Sequence, residues 1–377
     1  MTEFHLEIRQ GVAALHALAA DWQALYQATD AAPFLSWEWA VTWQQWFDAG
    51  KEPYLFCVFS GQALVGLLPL VYEPQRRLRR FSLLGSGFGG ADYLGFLALP
   101  EVAAEVIALI AKFWGTTVNF DLLELDDLQL DSAASLQRVL QPVFTCRLSS
   151  RYSCPQIHLN ADWNAILKRS RRADNFKRRL RQLQARAGFA HRSVTQSADA
   201  VPAFDRFLRL HNARWAKDGG SEMTGHERLV SFQRDLIMRW AEAGMLRFDE
   251  LWVEGECRAS IYGIEHQRQY YFYNSGYDQS WRSASVGLVL LGLSIRSAIE
   301  RGVQRYDFLR GTEAYKFDWA DATRETVMLR IAPKHSRASL LLAYEQTRET
   351  LRQNMRASLP DWALLPAQRV RRAWKRG

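Results

Sequence analysis

Apolar positions recur along this chain with two different periods, and the period switches several times. Over residues 11–28, Leu15, Leu18, Trp22 and Leu25 fall on one side of a helix. Ser36 can cap a second helix that carries Trp39 and Trp43 at i, i+4. Strand-like runs follow at 54–59 and 63–72, with Ser60-Gly61-Gln62 between them as a hairpin signal. A run at 79–84 leads into the glycine-rich segment 85–90. The pattern then predicts a helix over 101–114, a strand over 120–124 and a helix over 133–141.

The second half repeats that order at a larger scale. Helical spacing covers 163–187, 201–216 and 228–243. Strands are expected over 245–253, 258–266 and 269–276, with turns at Glu254-Gly255 and Gln267-Arg268. A helix over 286–301 ends at Gly302, and short strands follow at 305–309 and 327–332. An amphipathic helix over 339–356 and a basic tail complete the sequence. Helix, strands, helix, strand is a mixed α/β (α+β) order. Its recurrence implies a structural duplication, although no clear sequence repeat survives.

Composition changes this picture little. The 377 residues allow two or three domains, and 48% apolar with 23% charged residues is ordinary for a globular protein. The excess of Trp fits core packing before it fits a substrate groove. Cys57, Cys146, Cys154 and Cys257 form no C-x-x-C pair and no Cys/His cluster, so neither a disulfide scaffold nor a metal site is expected. No uninterrupted apolar run reaches membrane-spanning length, and no leader segment is recognisable, so the cytoplasm is the expected compartment.

Charge adds more. The net charge of +8 is concentrated in Lys168, Arg169, Arg171, Arg172, Lys177, Arg178, Arg179, Arg181 and Arg186, opposed only by Asp174. Three readings stay open for this stretch: a solvated helix face, a phosphate-binding surface, or an RNA-binding one. No interleaved aromatic RNA-binding module is visible, which disfavours nucleic acid as a partner. A second cluster, Arg369, Arg371, Arg372, Lys375 and Arg376, lies near Trp362, Leu364, Leu365 and Trp374 and fits contact with an anionic membrane.

Two segments carry candidate chemistry. Tyr273 and Asn274 close a strand. Ser283, Ser285, Val286 and Gly287 then open a helix, whose first N–H groups and positive dipole end suit an anionic cofactor. Further on, Asp307, Arg310, Glu313, Tyr315 and Lys316 crowd the end of a strand and the following loop, a favoured place for chemistry. A solvated loop with local ion pairs would look the same.

Asp307-Phe308-Leu309-Arg310-Gly311, Glu313, Tyr315-Lys316-Phe317 and Trp319 resemble the signature of the CelD-type GNAT acetyltransferase family, associated with cellulose and exopolysaccharide biosynthesis and similar to the Fem-type aminoacyltransferases. Pro33-Phe34, Ser36 and Glu38-Trp39 agree with its N-terminal segment. Leu84-Gly85, Gly87 and Asp92-Tyr93 agree with a second, Arg171-Arg172 with Asn175 a third, and His211 with Arg214-Trp215 a fourth. The family loop is commonly Ser-Pro-Gly; here Val286 replaces the proline, which removes a preorganising residue but none of the N–H groups.

The resemblance implies two fused GNAT-like lobes, each a mixed, mostly antiparallel twisted sheet flanked by helices. Residues 1–155 would form a non-catalytic lobe, 156–335 the acyltransferase lobe and 336–377 the helix and tail. It implies acetyl-CoA or another acyl-CoA as co-substrate, no metal, and an amine or hydroxyl acceptor, a small molecule or glycan precursor of the bacterial envelope. Glu313 and Asp307 are then base candidates, Tyr315 the proton donor to the leaving thiolate, and Lys316 a holder of anionic acceptor. Tyr273, Asn274, Ser283, Ser285, Val286 and Gly287 would bind the cofactor. His211, Arg214, Trp215 and Arg310 would line the acceptor site; His211 reads first as a satisfied, partly buried histidine. A Fem-like aminoacyl-tRNA donor, a non-catalytic scaffold role in a polysaccharide synthase system, and contact with such a synthase or with the inner face of the membrane remain open alternatives.

Overall fold

A computed structural model describes residues 4–73, 78–116, 119–215 and 225–358. The first half runs β1 (Phe4–Gln10), α1 (Gly11–Ala17), α2 (Ala19–Gln27), α3 (Trp37–Phe47), β2 (Glu52–Ser60), β3 (Ala63–Glu73), β4 (Arg80–Leu83) and the two-residue β5 (Leu97–Ala98). It continues with α4 (Ala103–Thr116), β6 (Leu122–Gln129) and α5 (Leu130–Leu140). The long strand β7 (Phe144–His158) then carries the chain across the expected lobe boundary at 155/156 without a break.

The second half runs α6 (Trp163–Arg169), α7 (Ala173–Gln184), β8 (Ala190–Val194), α8 (Ser197–Trp215), α9 (Glu227–Glu242), β9 (Leu246–Val253), β10 (Glu256–His266) and β11 (Gln269–Tyr277). Then come α10 (Val286–Glu300), β12 (Arg305–Asp307), the single turn α11 (Ala314–Phe317), β13 (Ala322–Pro333) and α12 (Arg337–Ser358).

Local chemistry explains most of these boundaries. The Ser36 hydroxyl accepts the Trp39 N–H at 3.2 Å and starts α3. Glu254-Gly255 and Gln267-Arg268 all have positive φ, the geometry of tight hairpins, and join β9 to β10 and β10 to β11. The continuous helix expected over 163–187 is instead two helices. Asp162 caps α6 through the Ala165 N–H at 2.9 Å, and Ser170 turns extended and takes the Arg172 N–H on its hydroxyl at 3.1 Å.

All the strands join one 13-stranded sheet in the order β1-β2-β3-β4-β6-β13-β7-β12-β11-β10-β9-β8, with β5 beside β3. The pairings are mostly antiparallel; β4 with β6 and β11 with β12 are parallel. The architecture is thus the expected mixed α/β one, a large open sheet flanked by helices. β13 follows the second group of helices yet inserts between β6 and β7, pairing along most of β7 from Gln156 to Phe144.

Two apolar cores lie on opposite faces of β11. Tyr271 and Tyr273 point into the larger one, and Tyr270 and Phe272 into the smaller one under α7 and α10. The larger core spans both halves: Trp39 of α3 packs on Trp240 and Phe232 of α9, with ring centroids 6.0 and 5.3 Å apart. Trp22, Trp39, Trp43 and Trp240 are fully buried, so much of the Trp excess is packing. No helix among the described residues is long and apolar enough to cross a membrane.

Candidate functional site

The strongest feature is a place where two strands part. β11 and β12 run parallel but pair at only three positions, Gln269–Tyr271 against Arg305–Asp307. β12 then ends, while β11 continues to Tyr277 against β10. Past this wedge a cavity of about 260 Å³ lies against β10, β11 and the start of α10, with no residue of β12 in its lining.

β10 lines one wall with Ala259, Ser260 and Ile261. β11 supplies Phe272, Ser275, Gly276 and Tyr277; the start of α10 supplies Ser285, Val286, Gly287 and Leu288. Tyr315, Asp318 and Trp319 come from α11 and the turn after it, and Arg172 from the start of α7. Ser285 sits in the left-handed region at φ 58, which turns the chain sharply into α10. The first-turn N–H groups of Val286, Gly287 and Leu288 have no acceptor within the helix and carry its positive dipole end. Arg282 is exposed at the same mouth, while Arg172 is ion-paired to Asp318 at 2.6 Å. The cavity therefore joins an apolar interior to an anion-attracting mouth.

Of the residues expected to bind a cofactor, Ser285, Val286 and Gly287 line this cavity. Ser283 is exposed one turn earlier, outside the lining. The Asn274 side chain accepts the Ser275 N–H at 2.8 Å. Tyr273 points to the opposite face of β11: its hydroxyl donates to the Gly89 carbonyl and accepts from Gln233 at 2.9 Å. Burial raises its pKa above the ordinary tyrosine value.

The second expected cluster is divided by the fold. Tyr315 lines the cavity, its ring 6.4 Å from Phe272. Lys316 turns away and is buried. Its ammonium donates to the Arg310 carbonyl at 2.6 Å and meets the half-exposed Glu313 at 3.1 Å. Gly311 lies between them at φ 131, where a side chain would overlap the Glu313 carboxylate and the Lys316 ammonium.

Arg310 reaches into the first half of the chain. Its Nε contacts Asp92 at 2.5 Å, its backbone N–H the same carboxylate at 3.1 Å, and its Nη2 Asp127 at 3.1 Å and the Ala91 carbonyl. The guanidinium lies 4.2 Å from the ring centroid of Tyr152. Burial pushes Asp127 up to about 7 and raises Asp92, in each case against the pull of Arg310.

Asp307 is fully buried. It accepts the Tyr93 hydroxyl at 2.9 Å and the Leu309 N–H at 2.7 Å. Burial lifts it to about 6, with the Leu309 hydrogen bond pulling the other way. His211 is buried on α8, its Nδ1 3.0 Å from the Ser275 carbonyl and its ring tilted against Phe207. Arg214 and Trp215 fall in the last turn of α8, and their side chains lie outside the described residues.

Sequence reasoning missed the partners of Arg310. Asp92-Tyr93 stood out only as part of a resemblance. Asp127 and Tyr152 gave no signal at all, because their role depends on a contact more than 150 positions away in sequence. Arg172 and Trp319 were part of the resembling segments, but nothing local told that they meet at the cavity.

The comparisons with known proteins fit this geometry. Residues 169–317 match the family described as Acetyltransferase (GNAT) domain. The matched stretch holds β11, α10, β12 and α11, the elements of the wedge. The fold resembles the crystal structure of FemX (TM-score 0.59, 10% identity, 82% of this chain and 95% of that one). It also resembles L-PGS from Bacillus licheniformis (TM-score 0.55, 10% identity, 86% and 94%). At this identity the likeness establishes the fold, which is GNAT-like, and it extends across both halves of the sheet. No curated protein matches the sequence.

Proposed function

We propose that this chain transfers an acyl group from acetyl-CoA or another acyl-CoA to an amine or hydroxyl. The observation that carries this reading is the cavity against β11, past the point where β12 parts from it, capped by the N-terminus of α10. An extended amide-bearing arm can run along β11 while a pyrophosphate meets the N–H groups of Val286, Gly287 and Leu288. The thioester then lies at the inner end of the cavity, near Tyr315.

In this mechanism the acceptor attacks the thioester carbonyl, the tetrahedral oxyanion collapses, and the C–S bond breaks. Tyr315 is the group on the cavity wall that can give its phenolic proton to the leaving thiolate. Lys316 and Glu313 act on the turn itself: Lys316 ties its two ends together and holds Tyr315 in place. Asp307 and Asp127 are both raised toward neutrality but neither lines the cavity, so the proton released by the acceptor returns to the Tyr315 phenolate or leaves to water at the open mouth.

The acceptor class follows the resemblance to the CelD-type family: a sugar or amine in bacterial envelope, cellulose or exopolysaccharide synthesis. One observation favours a second donor, an aminoacyl-tRNA. Lys168, Arg171 and Lys177 surround an open depression between α6 and α7, directly beside Arg172 of the cavity. Such a donor would bind with a steep salt dependence, whereas a CoA thioester would not.

Tyr315→Phe tests the mechanism. Turnover of acetyl-CoA, followed by thiol release against a panel of amino sugars, should fall by about 10²-fold or more. CoA affinity should hold. Unchanged turnover would remove Tyr315 from the chemistry.

A further inference from the structure

Helix α12 has two apolar sides, and one of them is uncovered. Ala338 and Leu342 are buried near Ala332 of β13. On the sheet side Glu345 and Glu349 are both taken by Arg147, at 2.8 and 2.5 Å, and Arg330 also reaches Glu345. On the far side Leu340, Tyr344 and Leu351 recur at i, i+4, i+11, which is one line along a helix. They are 70%, 63% and 57% exposed, and Leu341 beside them is 48% exposed. Burial of such side chains is normally favourable, so a row of them facing water marks a contact surface.

The charges around this row say what it contacts. Arg337 and Arg348 flank it, and neither joins an ion pair among the described residues. The acids of the described part of α12 face the sheet, so none borders the row. The sequence that follows, residues 359–377, sets Arg369, Arg371, Arg372, Lys375 and Arg376 against Asp361 and adds Trp362, Leu364, Leu365 and Trp374. An apolar row with a cationic border and no acid is the pattern of a helix lying in a membrane interface. A symmetric contact with a second copy fits less well. It would bring the same arginines of both copies to one face with no acid between them.

We propose that α12 docks this protein onto an anionic lipid surface through Leu340, Tyr344 and Leu351, with Arg337 and Arg348 at the headgroups. The proposal is independent of the donor chemistry.

Co-sedimentation of the full chain tests it, with vesicles of phosphatidylglycerol and phosphatidylcholine against vesicles of phosphatidylcholine alone. The mixed vesicles should take the protein down, the neutral ones far less, and added salt should release it. The Leu340→Asp/Tyr344→Asp variant should bind at least about tenfold more weakly. Both positions are exposed, so its circular dichroism and unfolding midpoint should match the parent. Protein left in the supernatant with mixed vesicles would overturn the proposal. So would a double variant that binds as the parent does, or a concentration-dependent dimer that the double variant disperses.

Discussion

Tyr315 and Lys316 are neighbours in the chain, but the single turn α11 sends their side chains to different places. Tyr315 faces the cavity, and Lys316 is buried against the Arg310 carbonyl. Burial acts as strongly on groups far from the cavity. His266 stacks on Tyr26 with centroids 4.3 Å apart, and its Nε2 has no hydrogen-bond partner. Burial pulls its pKa down to about 4, against the Asp30 charge, from a histidine's ordinary 6.5. Between these values the unfolded chain binds the proton and the folded one does not. The stability held above pH 6.5 is therefore lost as pH falls toward 4, by an amount on the order of 3 kcal/mol. Urea unfolding of the parent and of His266→Phe across this range should show a flatter acid limb in the variant. Parallel pH profiles would contradict the assignment.

Among the elements, the turn from Phe308 to Lys316 depends most on a distant partner. Arg310 fills a site made of Asp92, Asp127, the Ala91 carbonyl and the Tyr152 ring. Arg310→Met would strip buried Asp92 of its hydrogen-bonded guanidinium, leaving Lys316 as a remaining cation that acts on it, and should cost about 3 kcal/mol. Adding Asp92→Asn to that variant should recover part of the loss. A strictly additive double variant would show that the pair is not coupled.

The same turn shows how far the sequence could be read. Apolar period and turn residues located α3, α10 and the β9–β10–β11 meander, because those signals are local. Ser285 to Gly287 were recognisable for the same reason. β1 and β8, along with most of β7, were not: β1 and β8 edge the sheet, and β7 is half-exposed over much of its length, so none shows a clean apolar alternation. Pairing of β13 with β6 and β7 is a topological fact that no window of residues encodes. Arg310 read as a ligand-binding cation because its acidic partners are supplied by the other half of the chain.

At the scale of the molecule the two halves share one sheet and one apolar core. β13 comes late in sequence and completes the sheet between β6 and β7, and the Trp39, Trp240 and Phe232 cluster closes one core over both halves. Urea unfolding followed by tryptophan fluorescence and by circular dichroism should give one coincident transition. Two separated midpoints would show that the halves fold as independent units.

The proposed donor site is the cavity against β11, past the end of β12. Isothermal titration of acetyl-CoA and CoA into the intact protein and into Gly287→Trp tests it most directly. A Cβ at Gly287 would lie 3.5 Å from the Tyr277 ring, so an indole there fills the mouth of the cavity. Binding by the parent and its loss in the variant, with the fold intact, is the expected result. Equal binding by both would place the donor elsewhere. No binding by the parent, at concentrations up to about 1 mM, would contradict an acyl-CoA donor.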